Sequence, residues 1–343
     1  MSDIFAKLPT ALLGWYEKNK RTLPWREDRD PYHIWLSEIM LQQTRVEAVK
    51  GYYSRFLSAI PSIEALAQAD DEILHKLWEG LGYYSRVRNL KKAAQMIVDW
   101  YDGIFPKNHK DVLSLPGIGP YTAGAICSIA FDMPTPAVDG NVLRLVARLT
   151  NDPTSIDEPA YKKQVQNALQ EIYPAQAGDF TQALMELGAT ICGPNRKPDC
   201  QNCPCRAFCL AHQMGTEEDL PIRSPKRPRK QENVTVFLFS CNGKYALRKR
   251  EQKGLLAGLW EFPNVLGKLS IEESLDKVEE FGLKPHDILR IVEKSHIFTH
   301  IQWNMCGVYM EVSETAGSFA WKTMEEIKLQ SALPTAFRQF LEE

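Results

Sequence analysis

The stretch that most restricts this chain is Leu115-Pro116-Gly117-Ile118-Gly119, followed by Pro120-Tyr121. A Pro-Gly-x-Gly turn between two apolar helical runs forces a tight helix-to-helix reversal. It leaves backbone N–H groups exposed, with no side chain to block a close approach. Such a turn suits a phosphate. Shortly downstream, Val138-Asp139-Gly140-Asn141 places an aspartate at the mouth of another helix. A carboxylate beside a phosphate grip is electrostatically unfavourable, so Asp139 needs a chemical reason to be there.

At 343 residues the chain can hold two ordinary domains. Its formal net charge of −2 excludes binding through bulk positive charge. Any nucleic-acid contact must use local patches and backbone amides. No apolar run approaches the ~20 residues that span a bilayer, and the N-terminus lacks a basic-then-apolar signal pattern. The expectation is a cytoplasmic protein in which the eight cysteines are thiols or metal ligands, not disulfides.

Residues 1–214 read as mostly helical. Apolar residues recur at helical spacing around Ile34–Leu41, Ile73–Trp78 and Val142–Leu149, with stops at Gly80/Gly82, Pro106 and Pro116-Gly117. Residues 215–231 read as a basic, proline-rich linker: Pro221, Pro225 and Pro228 alternate with Arg223, Lys226, Arg227, Arg229 and Lys230. From 232 to 343 the period changes. Val234–Ser240, the turn Asn242-Gly243 and Lys244–Arg248 predict a β-hairpin. Val308–Val312 predicts a strand, and Leu275–Phe281 and Thr335–Leu341 predict helices. The expected architecture is an α-helical domain followed by a smaller α/β domain.

Cys192, Cys200, Cys203 and Cys209, with Cys205 between the last two, are too dense for core packing alone. In a reducing compartment such thiolates call for a metal. Zinc and a [4Fe–4S] cluster both accept four thiolates. A single short hook, Cys200-x-x-Cys203, leans toward iron–sulfur. Arg196, Lys197 and Arg206 on the same loops either face phosphates or are ordinary solvated charges.

Two carboxylates sit in different settings. Glu38 lies on or beside the apolar stripe of Trp35-Leu36-Ser37-Glu38-Ile39-Met40-Leu41. Desolvation there raises its pKa and suits a general acid; the alternative is a boundary residue reaching solvent. Asp139 is first of all a helix cap. Near a helix N-terminus it is expected to have a lowered pKa and stay ionised. One raised and one lowered carboxylate is the arrangement that cleaves glycosidic bonds.

Together these residues resemble the helix-hairpin-helix DNA glycosylases, through Leu115–Gly119, Val138–Val142 and the cysteine cluster. Within them the chain looks like a MutY-type adenine DNA glycosylase, through Leu36-Ser37-Glu38-Ile39-Met40-Leu41-Gln42-Gln43-Thr44, Gly80-Leu81-Gly82-Tyr83-Tyr84-Ser85-Arg86, Leu23-Pro24-Trp25-Arg26 and Glu186-Leu187-Gly188-Ala189. The resemblance runs from about residue 8 to the C-terminus. It implies removal of adenine mispaired with 8-oxoguanine or guanine in double-stranded DNA, by a monomer that can meet other repair or replication proteins. It further implies a bacterial-type, nucleoid-associated enzyme with a [4Fe–4S] cluster on Cys192, Cys200, Cys203 and Cys209. By the same resemblance Glu38 protonates the base and activates water, Asp139 stabilises the sugar cation, and Asn141 and Tyr121 assist. Arg21, Trp25, Arg26 and Gln182 fall where the family contacts the flipped base, Gln43 and Tyr83 where it wedges the duplex, and Leu115, Gly117 and Gly119 at its DNA hairpin. Extrusion of the base is required because the bond is unreachable in the stack.

Tyr121 stands where endonuclease III-like relatives carry a lysine, and a phenol cannot form a Schiff base. The implied product is an abasic site without strand cleavage. Residues 232–343 resemble the family's Nudix-like domain, which reads 8-oxoguanine with a Phe-Ser-His loop; here the loop is Phe298-Thr299-His300. The Arg-Glu-x-x-Glu-Glu run of working Nudix hydrolases is broken around Glu272–Gly282, so recognition alone is expected. The seven residues between Cys192 and Cys200 are one more than the family's usual gap. Two rival readings are a non-catalytic iron–sulfur DNA-binding module and a bifunctional lyase. The first leaves Glu38 and Asp139 without joint purpose, and Tyr121 opposes the second.

Overall fold

A computed structural model describes residues 2–194, 197–225, 228–316 and 318–341; Arg196, Lys226 and Arg227 lie outside the described residues. Helices come first: α1 Ser2–Asn19, α2 Pro31–Leu41, α3 Val46–Ala59, α4 Ile63–Gln68, α5 Asp71–Leu77, α6 Ser85–Tyr101, α7 His109–Ser114, α8 Pro120–Phe131, α9 Gly140–Thr150, α10 Pro159–Gln170, α11 Ala177–Thr190 and α12 Leu210–Met214. Strands β1 Lys230–Cys241, β2 Lys244–Lys249, β3 Trp260–Glu261 and β4 Asn264–Leu266 follow, then α13 Ile271–Glu280, β5 Pro285–Ile297, β6 Ile301–Val312, β7 Ala320–Thr323, α14 Met324–Gln330 and α15 Thr335–Arg338. Among the described residues no helix is long and apolar enough to cross a membrane.

Contacts divide the chain into two compact units. The first holds residues up to Gln68 and Asn89–Pro225; the second holds Ala69–Arg88 and the chain beyond the linker. Ala69–Arg88, which reads from sequence as part of the first domain, thus counts with the second. The reason is a set of polar ties that no local pattern reveals. Glu72 accepts from the Trp260 indole (2.9 Å) and pairs with Lys249. Glu79 accepts from the Leu333 N–H (3.0 Å), and Arg88 donates to the Ala257 carbonyl (2.9 Å). Conversely, the early linker belongs to the first unit: Ile156 N–H donates to the Ile222 carbonyl at 3.0 Å, and the Asp157 carboxylate accepts from Ser224 N–H.

In the first unit, α1, α9, α10 and α11 enclose a core of Leu8, Leu12, Val142, Leu145, Val146, Leu169, Phe180 and Leu187. The helix α2 is capped by Asp30, which accepts from Tyr32 N–H at 2.8 Å. It carries no simple stripe: every residue from Ile34 to Met40 is buried. A helix apolar on all sides belongs inside the unit, and that drives Glu38 inside with it. The expected stop at Pro106 occurs earlier. Asp102 and Gly103 take left-handed conformations (φ 52° and 76°), and Gly103 N–H returns to the Ile97 carbonyl.

In the second unit the hairpin Ser240↔Tyr245, Cys241↔Lys244 closes through Asn242 and Gly243, both at positive φ (48° and 74°). The strand β1 also pairs in parallel with β6, from Lys230↔Ile301 to Ser240↔Glu311. That placement explains its unbroken apolar run. Val234, Val236 and Leu238 pack on one face, Phe237 and Phe239 on the other. Gly307 of β6 is needed where it stands, because a Cβ would come within 2.5 Å of the Phe340 ring. The helix expected over Thr335–Leu341 closes after Arg338 and continues as a turn.

Candidate functional site

A cavity of about 190 Å³ opens in the first unit among η-turn residues 24–26, α2, α8, α9 and α11. That is below the ~300–1,000 Å³ of drug-sized pockets and suits one flat ring. Glu38, Tyr121, Asp139, Asn141, Arg21, Trp25, Arg26 and Gln182 all line it, together with Met185 and Glu186. Eight residues singled out from five separate sequence segments therefore share one wall.

Glu38 is 6% exposed. Its carboxylate accepts from the Tyr121 hydroxyl at 2.8 Å. Burial pushes its pKa up to about 7; the Tyr121 bond and Arg26 oppose this, and the Asp139 charge adds to it. Burial together with the Glu38 and Asp139 charges holds the Tyr121 phenol well above its ordinary range, so Tyr121 remains a proton donor. Its position follows from the hairpin. Gly119 ends the turn and Pro120 starts α8, so Tyr121 enters the core on the first helical turn.

Asp139 caps α9. It accepts from Asn141 N–H and Val142 N–H, both at 2.9 Å, and from the Asn141 amide at 2.7 Å. The expectation of a lowered pKa is not met: burial raises it, and these three bonds only oppose the rise. The cap donors were legible in the sequence, but the depth of burial was not. The two carboxyls still differ in kind, since Asp139 is ringed by N–H donors and Glu38 meets a single hydroxyl.

Asn141 is itself held. Its carbonyl oxygen accepts from Arg144 Nη2 at 2.9 Å, and the same guanidinium donates to the Gly188 and Cys192 carbonyls at 2.8 Å. A side chain at Gly188 would place its Cβ 2.8 Å from that of Asn141, so glycine sets the close approach of α9 and α11. Arg148, one turn on, donates to the Cys192 sulfur at 3.2 Å. A buried arginine pair thus connects the capping aspartate to the first cysteine.

Glu186 is the residue that sequence reasoning left without a role. Its side chain is fully buried and receives Arg21 Nε (2.5 Å), Arg21 Nη2 (3.0 Å) and Arg26 Nη2 (2.8 Å). Burial alone would raise its pKa, but the two guanidiniums outweigh that and hold it below its usual range. A charge inside the apolar run Ala183-Leu184-Met185-Glu186-Leu187 was the available signal. Glu186→Gln is expected to loosen both arginines and lower kcat/KM for whatever reaction this cavity supports by about 10- to 100-fold, the scale of losing an orienting partner. Steady-state kinetics on the folded variant measure it.

The hairpin has the expected form. Leu115 and Ile118 are buried, and Gly117 needs both its positive φ of 79° and its missing Cβ, which would lie 2.7 Å from Asn89 Cβ. A Cβ at Gly119 would meet nothing within 4 Å, so the N-terminus of α8 faces open space. Gln43 is exposed just past α2 at φ 59° and does not line the cavity.

A second cavity, within the second unit, is lined by Gly80–Ser85, Arg88, Gly254–Leu256, His296–Ile301, Pro334 and Thr335. Phe298-Thr299-His300 forms the tip of the β5–β6 hairpin, closed by Phe298 N–H to the Ile301 carbonyl at 2.8 Å. Phe298 packs edge-on to Trp303, while Thr299 and His300 are exposed. Tyr83, at φ 47°, lies 2.5 Å hydroxyl-to-hydroxyl from Thr299. Arg86 fixes this turn by donating to the Leu81 and Gly82 carbonyls. Of the glutamates on α13, Glu273 completes a capping box with Ser270 and Glu280 pairs with Lys277.

Cys192, Cys200, Cys203 and Cys209 line one small pocket with Arg148, Arg206, His212 and Glu217; Cys205 is fully buried in the neighbouring core. Among the described residues no three of the four sulfurs stand within 4.8 Å of one another. Among the described residues the ligating trio within 4.8 Å is Cys200, His212 and Glu217, whereas thiolates at ~2.3 Å on one zinc stand about 4 Å apart. Lys197 pairs with Glu218, and Arg206 donates to Gln201 and His212.

Residues 36–175 match the profile of the HhH-GPD superfamily of base excision DNA repair proteins, and residues 234–343 that of the NUDIX domain. The chain is 34% identical to an adenine DNA glycosylase of Rattus norvegicus, over 96% of this chain and 76% of that one. It is 33% identical to a human one, over 96% and 72%, and 34% identical to one from Buchnera aphidicola, over 87% and 83%. Among solved structures, a thermostable thymine-DNA glycosylase superposes with a TM-score of 0.56 at 29% identity, covering 62% of this chain and 98% of that one. An endonuclease III trapped on DNA shares the fold at a TM-score of 0.52 and 22% identity, covering 62% and 98%.

Proposed function

This chain belongs to the adenine DNA glycosylase family, and on that premise we propose that it excises adenine mispaired with 8-oxoguanine or guanine from double-stranded DNA, leaving an abasic site. It is an N-glycosyl hydrolase of base excision repair. The observation that carries the mechanism is the 2.8 Å bond from Tyr121 to a buried Glu38 whose pKa is about 7, in one cavity with Asp139.

With the base flipped into that cavity, Glu38 gives its proton to an adenine ring nitrogen. The C1′–N9 bond breaks, its electron pair leaves with adenine, and positive charge develops on the sugar. The Asp139 carboxylate faces that charge, while its capping bonds keep it from turning away. Glu38, now a carboxylate, takes a proton from water as the oxygen bonds to C1′. Asn141 and Tyr121 orient the two carboxyls. Arg21, Trp25, Arg26 and Gln182 hold the base. In the hairpin Leu115, Gly117 and Gly119, the two glycines offer their N–H groups to a phosphate, while the Leu115 N–H donates to the Val112 carbonyl and its buried side chain anchors the turn. Gln43 and Tyr83 fill the gap the flipped base leaves, and Phe298, Thr299 and His300 read the opposite 8-oxoguanine. Cys192, Cys200, Cys203 and Cys209 would hold a [4Fe–4S] cluster, which would tie down the loop after α11; purified protein should then absorb at about 400 nm.

Tyr121 offers no amine, so no Schiff base forms and the strand stays intact. Incubation with a duplex carrying adenine opposite 8-oxoguanine should give strand breaks only after alkali. Breaks without alkali at the rate of base release would refute the monofunctional reading, and no abasic sites at all would refute the substrate.

A further inference from the structure

We propose that Cys200, His212 and Glu217 form a mononuclear site for a borderline divalent cation of the zinc class, filled when the four-thiolate site carries no cluster. Thiolate, imidazole and carboxylate are the three side chains that zinc accepts, and three protein ligands leave a fourth position for water. Their donor atoms already lie within 4.8 Å of one another, with all three residues half-buried. Ligands at ~2.0–2.3 Å from one ion need to close by only about an ångström, within the reach of side-chain rotation.

Glu217 supplies the second observation. Its Oε2 is buried and has no hydrogen-bond partner, while Oε1 lies 3.5 Å from His212 Nδ1, a loose contact. A buried carboxylate oxygen without a donor is a position that a cation would satisfy. His212 Nε2 accepts from Arg206 at 3.2 Å; ligation through that nitrogen displaces Arg206, which keeps its bond to Gln201 at 2.7 Å. The short helix α12 and the turn after it bring His212 and Glu217 back over Cys200, so one ion would close the loop from 200 to 217. Cys200 belongs to both ligand sets, so a single ion and a cluster exclude each other. The proposal depends on the cluster reading only for when the site is filled.

The full-length chain, purified free of iron, is titrated with Co²⁺ as a spectroscopic stand-in for zinc. The expected result is a thiolate-to-cobalt band with tetrahedral d–d absorption, abolished by Zn²⁺. His212→Ala and Glu217→Gln should each weaken Co²⁺ binding by more than about tenfold, the least that losing a supporting group costs. Both variants, reconstituted with iron and sulfide, should regain the same visible absorption as the parent, because neither residue is a cluster ligand. Unchanged Co²⁺ affinity in both variants would assign the ion to the thiols and overturn the proposal. So would no Co²⁺ signal in the parent, or loss of cluster assembly in a variant whose circular dichroism is unaltered. A parent that takes Co²⁺ as described but never assembles a cluster would refute the cluster and leave this site standing.

Discussion

Glu38→Gln should cut the single-turnover rate of adenine release by about 10³-fold, inside the 10²–10⁴ that general acid catalysis contributes, with duplex affinity retained. The amide keeps the shape and still accepts from Tyr121 but has no proton to give. On the proposed mechanism the acid form of Glu38 is the active one, and burial pushes its pKa up to about 7. The value of kcat/KM should therefore be level below that point and fall as pH rises through it. A profile that is flat across neutrality would remove Glu38 from the acid role. The same burial has a stability cost of opposite appeal. A folded-state pKa raised from 4.5 to about 7 means stability is full below the unfolded value and is lost as pH rises through the folded one. The loss amounts to ~3 kcal/mol above neutrality at 1.36 kcal/mol per pKa unit. Glu38→Gln should thus be the more stable protein in urea at pH near 8 and equal to the parent near pH 4, while being nearly inactive at both.

Asp139→Asn should reduce base release by about 10²–10³-fold or more, the scale of losing one oriented electrostatic partner of the transition state. Stability should hardly change, because Asn and Asp are comparable N-caps and α9 keeps its first-turn bonds. Loss of rate together with loss of fold would mean that Asp139 only caps. The substitution has a second signature. The Asp139 charge is one of the causes that raise Glu38, so its removal should shift the alkaline limb of the residual pH profile to lower pH. Single-turnover rates across pH, with the thermal melting curve as control, test both statements.

Much of the local structure of the first unit was readable in the sequence. The turn at Gly117, the cap at Asp139 and the odd charge at Glu38 are local features: positive φ, an N–H acceptor at a helix start, a carboxylate among apolar neighbours. Local rules act over one or two helical turns, and there the sequence is sufficient. Glu186 was harder. Its partners Arg21 and Arg26 lie about 160 residues away in the chain, so nothing nearby betrays why a charge is tolerated. The parallel pairing of β1 with β6 was hidden for the same reason, since the Asn242-Gly243 turn specifies β2 and says nothing of the strand on the other side.

By itself, the amino-acid sequence determined the helix-to-sheet order, the tight hairpin, the cysteine set and the absence of an amine at Tyr121, because each depends on residue type and short spacing. The tertiary structure decided what depends on burial and distance. It put Glu38, Tyr121 and Asp139 in one cavity and raised both carboxyls where the sequence suggested only one. It moved Ala69–Arg88, and with it Tyr83, into the unit that carries Thr299. Desolvation is a sum over everything packed around a group, and that sum exists only once distant segments have come together.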